Sequence, residues 1–311
     1  MNYTQVSEFV IVGFPSLQPG DFNLVAWFFF FLYVATVGGN LLLVVLFALE
    51  RSLQKPMYIV MVSLALSDIG FATVVLPKLT ARYWWNDGSL GFHTCHFQRH
   101  MIHYFGSLNS LILLTMALDR YVAICFPLRY PMVMTNQTMT GLTVFCWVVA
   151  HIFPGISTIN FTMMPFCGPN QILQAFCDTL SLKALVCRDT GELYSKAFTV
   201  AMFILYVPLS FIILSYIFII ISVLRMASGQ VTHYLFSKFY THFISFYYSY
   251  LILTLRHSTI LFYSLFPPLI NPFIYCLRTK EIKQIFARWI WRQKGIAPKK
   301  QGQIEAITKS Q

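Results

Sequence analysis

The sequence predicts an all-α membrane protein, a seven-transmembrane helix bundle with its N-terminus outside, its C-terminus inside and a short amphipathic eighth helix. Three observations carry this. Hydrophobic residues make up 57% of the 311, and charged residues only 11%, where a soluble domain carries about 25%. Seven long stretches with almost no Asp, Glu, Lys or Arg follow one another along the chain, and roughly 20 apolar residues suffice to span a bilayer. The basic residues fall unevenly between alternate connections, which sets orientation. A mean hydropathy of +0.63 agrees. A cytosolic enzyme, a disordered chain and a small secreted disulfide scaffold are excluded, because so few charges cannot coat so large an apolar mass.

The helices are expected near 24–49, 57–79, 95–124, 139–159, 196–224, 233–255 and 257–277. Leu24–Leu49 is uncharged, and Met57–Pro77 is interrupted only by Asp68. His100–Leu118 marks the third helix. The uncharged run from Tyr130 to Cys177 holds the fourth and then a loop. Ala197–Leu224 is the fifth, Phe239–Leu255 the sixth and shortest, and His257–Leu277 the seventh. Residues 1–23 form an extracellular N-terminus without a signal-peptide pattern, and Leu24–Leu49 is too long for a signal core, so it stays as an anchor. Residues 24–278 form the bundle and 279–311 the cytoplasmic tail. In the stretch 279–290, Ile282, Ile285, Phe286, Trp289 and Ile290 share one helical face, with Lys280, Lys283 and Arg288 away from it. That is an interfacial helix on the inner leaflet.

Fifteen Lys and Arg lie in the first, third and fifth connections, at the start of the sixth helix (Lys238) and in the tail, against seven on the other side. The net charge of +11 is therefore a topology signal and a contact with anionic lipid. No nucleic-acid partner is expected.

Of seven cysteines, Cys125, Cys146 and Cys276 fall in or beside helices and read as buried thiols. Cys95, Cys167, Cys177 and Cys187 fall on the outer, oxidising side, and four cysteines allow three pairings. The sequon at Asn2 is outside and open to glycosylation. Asn160 lies too near the fourth helix, and Asn136 lies inside.

Polar groups within a span are costly and mark function by default. Asn40, Asp68 and Asn271 sit at comparable depth in the first, second and seventh helices. They form either a purely structural hydrogen-bonded cluster or a switch with water or an ion. Asp119, Arg120 and Tyr121 end the third helix at the inner face, where a charged pair can hold the helix end and bind a partner's backbone, or merely snorkel. Pro272 after Asn271 removes one backbone bond of the seventh helix and makes a hinge.

At these residues the chain resembles a known family. MALDRYVAICFPLRY (Met116–Tyr130) is similar to the signature of vertebrate olfactory receptors, which are rhodopsin-like G-protein-coupled receptors. KPMY (Lys55–Tyr58), Gly39-Asn40, Leu66–Asp68, Ser215-Tyr216 and PPLINPFIYCLRTKEIK (Pro267–Lys283) fit in order. So does the second outer loop, with Cys167, Phe176–Asp178 and Cys187. The resemblance covers about residues 8–290. It implies a receptor for small odorants that activates a heterotrimeric, stimulatory G protein and raises cAMP, in the plasma membrane of a sensory cell. It also implies the disulfides Cys95–Cys177 and Cys167–Cys187, and a coupling set of Asp119, Arg120, Tyr121, Tyr216, Asn271, Pro272 and Tyr275. It implies no cofactor and no enzymatic activity.

One region departs from the family pattern. Ser237–His242 lacks the Ala and Cys that usually enter the sixth helix, and only 26 residues separate His242 from Pro268. The sixth helix then begins near Val231, with Arg256–Thr259 as a very short outer turn.

Counting back along the third helix from Arg120 places Ile102 where amine receptors of this class carry an Asp, so an ammonium ligand is not expected. Arg99, His103, Gly106, Ser107 and Ser110 continue that face at steps of three and four. Val200, Ala201 and Ile204 of the fifth helix, with Tyr250, Thr254 and Tyr263 from the sixth and seventh, complete a candidate ligand pocket. Arg99 suits an anionic ligand such as a carboxylate, or it snorkels to headgroups or pairs with Asp178. His96, His100 and His103 stand at i, i+4 and i+7, which could mimic a metal cluster. Three neutral histidines lining a polar pocket is the favoured reading. Two rivals remain: a receptor of this family used outside the olfactory tissue, and a small-solute transporter. The second lacks the inverted repeat and paired broken helices that it needs.

Overall fold

The computed structural model describes residues 6–53, 55–167, 169–187, 191–226, 265, 267–272, 282 and 285. The long helices are α1 (Phe22–Leu49), α2 (Pro56–Trp84), α3 (Phe92–Cys125) and α8 (Gly191–Met226). Between them run α4 (Tyr130–Val133), α5 (Asn136–Val149), α6 (Ile152–Thr162) and α7 (Thr179–Lys183). Among the described residues, five segments are long and apolar enough to cross a membrane: Pro19–Leu49, Pro56–Trp84, Phe92–Cys125, Asn136–Thr162 and Phe198–Ile219. The expected helix at 233–255, most of 257–277 and most of 279–290 lie outside the described residues, as do Asn2, Tyr250, Tyr263 and Tyr275.

Local chemistry fixes several boundaries. Lys55 is extended (φ −104°, ψ 157°), as steric conflict with a following proline demands. Pro56 then opens α2 with its φ already helical. Thr135 starts α5 by accepting a hydrogen bond from the Thr138 amide at 3.2 Å, the usual N-cap exchange. The stretch expected as one fourth helix is interrupted at Ala150 and His151. Pro154 accounts for the break, since its ring collides with the carbonyl four residues back, that of Ala150, and offers it no N–H.

Helix α3 is central. It packs on α2, α5, α6 and α8, and α2 packs on α1. Phe29, Leu43, Leu64, Leu76, Leu79, Leu108 and Ile112 are among the side chains buried in the main core. Ile282 and Ile285 are buried in it too. The outside is equally apolar: Leu24, Phe31, Val144, Phe145, Val148, Phe203 and Phe211 are exposed. Apolar surface on this scale marks contact with lipid rather than water.

One end of the bundle is closed by a three-stranded sheet, β1 (Glu8–Ile11), β2 (Ser89–Gly91) and β3 (Gln171–Ile172), in the order β2-β1-β3. The N-terminal strand β1 lies between two loops, antiparallel to β2 and parallel to β3. Arg82 on α2 donates its Nε–H to the Ile11 carbonyl at 2.8 Å, and the Phe14 amide donates to the Tyr83 hydroxyl at 2.8 Å. A second core of Phe9, Ile11, Leu90, Phe166, Ile172 and Leu182 fills the space beneath the sheet. Cys95 in the first turn of α3 is bonded to Cys177, and Cys167 to Cys187, with Cα–Cα separations of 5.5 and 5.2 Å.

Candidate functional site

Three polar clusters are threaded along α3. The outermost is built around Arg99, which is completely buried. Its Nη1 donates to Ser157 Oγ and to Thr179 Oγ1, both at 3.2 Å, and its Nη2 donates to Thr158 Oγ1 at 3.1 Å. The guanidinium lies 4.6 Å above the centre of the Phe161 ring, a cation–π contact. Arg99 therefore does not snorkel, and no carboxylate lies within 4 Å of it among the described residues. Asp178 stands instead 3.9 Å from His103 Nε2 and caps α7 through the Leu180 amide. His103 Nε2 also meets Thr179 Oγ1 at 2.8 Å.

The three histidines of α3 diverge. His96 packs among Phe9, Phe92 and Phe166 under the sheet. His100 contacts Thr158 and His151, each at 3.3 Å. Among the described residues no group of three or more His, Cys, Asp or Glu could hold a metal ion. Along the same helix Ile102, Ser107 and Ser110 are half-buried and Gly106 is exposed, with open space where a side chain would stand. Val200 and Ile204 on α8 are half-buried, and the side chain of Ala201 lies outside the described residues.

The middle cluster centres on Asp68, fully buried on α2. Asn271 Nδ2 donates to one carboxylate oxygen at 2.9 Å, and Asn109 Nδ2 on α3 donates to the other at 3.4 Å. Asn40 reaches elsewhere: its Nδ2 donates to the carbonyls of Thr36 and Pro268, both at 2.9 Å. The chain geometry explains the second bond. Pro272 has no N–H to return to the Pro268 carbonyl one turn back, and a polar atom left bare in hydrocarbon costs several kcal/mol. Asn40 supplies that donor from α1. Gly39 lets the backbones approach, since a Cβ there would stand 3.4 Å from the Pro272 ring.

The inner cluster ends α3. Tyr130 donates its hydroxyl to Asp119 at 3.0 Å, and Asp119 is buried. Burial, and then the neighbouring Asp119 carboxylate, pushes the Tyr130 phenol up to about 12, so it stays a donor at any physiological pH. Arg120 donates to the Met57 sulfur, a weak acceptor. Both Asp119 and Arg120 lie beside Met57, Val60, Met116 and Met139. Tyr121 turns to the opposite side, against Phe126 and Phe218 and beside buried Tyr216.

Several members of these clusters escaped the sequence reading. Asn109 carried the signal already applied to Asn40, an amide within a span. Ser157, Thr158 and Thr179 carried none, because hydroxyls are common in membrane helices and loops. Met57 stood inside the quoted KPMY string but only as part of a pattern.

A model of the olfactory receptor family matches residues 29–293. The chain belongs to the olfactory receptor family. Curated relatives agree along almost the whole length. Olfactory receptor 1 of Rattus norvegicus is 33% identical over 306 residues, covering 94% of this chain and 97% of its own. Olfactory receptor 1E5 of Pan troglodytes is 34% identical, with the same coverage. Olfactory receptor 10A3 of Homo sapiens is 32% identical over 318 residues, covering 95% and 98%. The protein is thus an odorant receptor, a multi-pass helical membrane protein of the G-protein-coupled class, and not an enzyme. Asp68, Asn109, Asn271, Asp119 and Arg120 all fall within the family match, as do the outer-cluster residues.

Proposed function

We propose that this receptor crosses the plasma membrane seven times, N-terminus outside, and binds a small odorant between the outer halves of α3 and α8 and the segments that follow. Binding then activates a stimulatory, olfactory-type G protein and raises cAMP. The interfacial stretch 279–290 lies along the inner leaflet, and Asn2 is available for a glycan. The reading is carried by the single helix α3, which bears a polar site at one end, a contact to the buried Asp68 midway and the Asp119–Arg120 pair at the other. A ligand that favours one packing of α3 biases the far end, which is what coupling between distant sites requires. Arg120 suits a switch because its hydrogen-bond partner is a thioether, which yields readily to a partner's carbonyl.

The test is expression with a cAMP reporter and a broad odorant panel. Wild-type receptor should respond to at least one odorant, and Arg120→Ala should reach the cell surface normally but lose that response. An unchanged response at equal surface level would remove Arg120 from the coupling role.

A further inference from the structure

We propose that the outer end of the pocket is a carboxylate site, in which Arg99 and His103, bridged by Thr179, hold the head group of an odorant acid whose chain runs along Gly106, Ser107 and Ser110. The proposal rests on the odorant-receptor reading and names its ligand class.

The first argument is charge. A guanidinium cannot shed its proton under physiological conditions, so Arg99 brings a full positive charge into a site with no solvent exposure. Its three acceptors, Ser157, Thr158 and Thr179, are neutral hydroxyls. Among the described residues no carboxylate comes within ion-pair distance. The nearest one in the sequence of contacts, Asp178, is engaged by the Leu180 amide and sits beside His103. Asp178 therefore acts on Arg99 only from beyond contact, and a buried cation with no anion in contact is costly, so supplying one relieves that cost.

The second argument is unused donors. Arginine has five N–H groups, and among the described residues only three hydrogen bonds are made. The Nε–H is buried and has no partner among the described residues. His103 completes the recognition. Arginine can only donate, so Thr179 Oγ1 accepts from Arg99 at 3.2 Å, and the same oxygen meets His103 Nε2 at 2.8 Å. The imidazole carries an N–H in either tautomer, so the ring offers a donor. Two donors separated by one hydroxyl suit the two oxygens of a carboxylate, and charge-assisted bonds of this kind are the strong ones. An ammonium would meet the Arg99 charge there. Gly106 leaves open space one turn further in, where an alkyl chain fits.

The test uses the full-length receptor, purified in detergent and also expressed with the cAMP reporter. The probes are straight-chain saturated acids of short to medium length, octanoate among them, with the matched alcohols and amines. Acids should raise the melting temperature of the wild type more than the matched alcohols do, and amines should not raise it. Arg99→Gln should weaken the acid by about ten- to a hundredfold and leave the alcohol nearly unchanged. His103→Asn should weaken it less. Arg99→Gln also releases α6, so Arg99→Lys, which keeps the charge, and His103→Asn serve if the glutamine variant fails to fold. The proposal is overturned if no acid raises the melting temperature, if acid and alcohol shift equally, or if neither Arg99→Lys nor His103→Asn alters the acid's affinity. Acid binding without any cAMP response would instead strike at the coupling reading and leave the carboxylate site standing.

Discussion

Breaking the Cys95–Cys177 bond should harm the receptor more than breaking Cys167–Cys187, although the loop-entropy argument alone separates them poorly. The closed segments are 82 and 20 residues, which in the chain-entropy model correspond to about 4.5 and about 3.3 kcal/mol. The first figure is an upper bound for an inserted bundle. Helices α3, α5 and α6 stay held by the bilayer even when tertiary packing is lost, so only the stretch after Thr162 is freed, and the two bonds draw level near about 3 kcal/mol. Burial then decides. Cys95 and Cys177 are fully buried in the second core, whereas Cys167 and Cys187 are exposed. The Cys177 amide also donates to Gln98 Oε1 at 3.0 Å, and Gln98 Nε2 donates to the Val74 carbonyl at 2.9 Å. Losing the buried bond therefore loosens α3, α2 and the sheet together. Cys95→Ser and Cys177→Ser should each abolish surface expression, the double variant should be no worse than either, and Cys167→Ser or Cys187→Ser should retain a measurable fraction. Surface immunostaining with thermal melts of the purified variants gives the ranking. Additive losses at Cys95 and Cys177, or a greater loss at the exposed pair, would refute the reasoning.

Three further outcomes follow from the other clusters. Asn40→Leu should lower stability by about 1–3 kcal/mol, because it strips the Pro268 carbonyl of its donor, and a matched Leu42→Ala control on the exposed side of α1 should shift the melting temperature far less. Tyr130→Phe should raise basal cAMP by freeing Asp119, and the wild-type basal level should be flat between pH 6 and 8, since the raised phenol of Tyr130 only ionises near 12; a titration of basal signal within that window would contradict this. At the sheet end, hydrogen bonds from Ser89 and then Lys78 hold the Asp87 carboxyl down to about 2. A depressed carboxylate stabilises the fold above its ordinary value and loses that contribution as pH falls toward 2. Protease resistance of the loop at residues 86–89 should therefore hold as outer pH falls to about 5, and Asp87→Asn should lower it at neutral pH.

How much of this was legible beforehand depends on the kind of signal. Span positions were legible because hydrocarbon thickness imposes a length and a composition on each helix. The first three expected helices fall within α1, α2 and α3, and the fifth within α8. The break in the fourth was visible in Pro154 but was not read, since prolines inside membrane helices are often accommodated, as Pro77 and Pro208 are within α2 and α8. The sheet was not legible at all. Its strands are two to four residues long, too short for period-two alternation to stand out, and β1 is joined to β3 from across the chain.

Within the bundle, one rule located residues and failed to pair them. A polar side chain in hydrocarbon must find a partner, so Asn40, Asp68 and Asn271 were singled out, and Asn109 obeys the same rule. The sequence suggested that Asn40, Asp68 and Asn271 form one cluster. The structure gives Asp68 the amides of Asn109 and Asn271, and sends Asn40 to the Pro268 carbonyl. The missing premise was the backbone. Pro272 creates a second unsatisfied group in the same layer, a bare carbonyl rather than a side chain, and that group also demands a donor. With three amides available for one carboxylate and one carbonyl, proximity settles the assignment: Gly39 brings α1 against Pro272, and its neighbour Asn40 is the amide within reach. Hydrogen-bond accounting that includes the carbonyl each proline leaves bare thus turns a set of unusual residues into a specific interhelical contact.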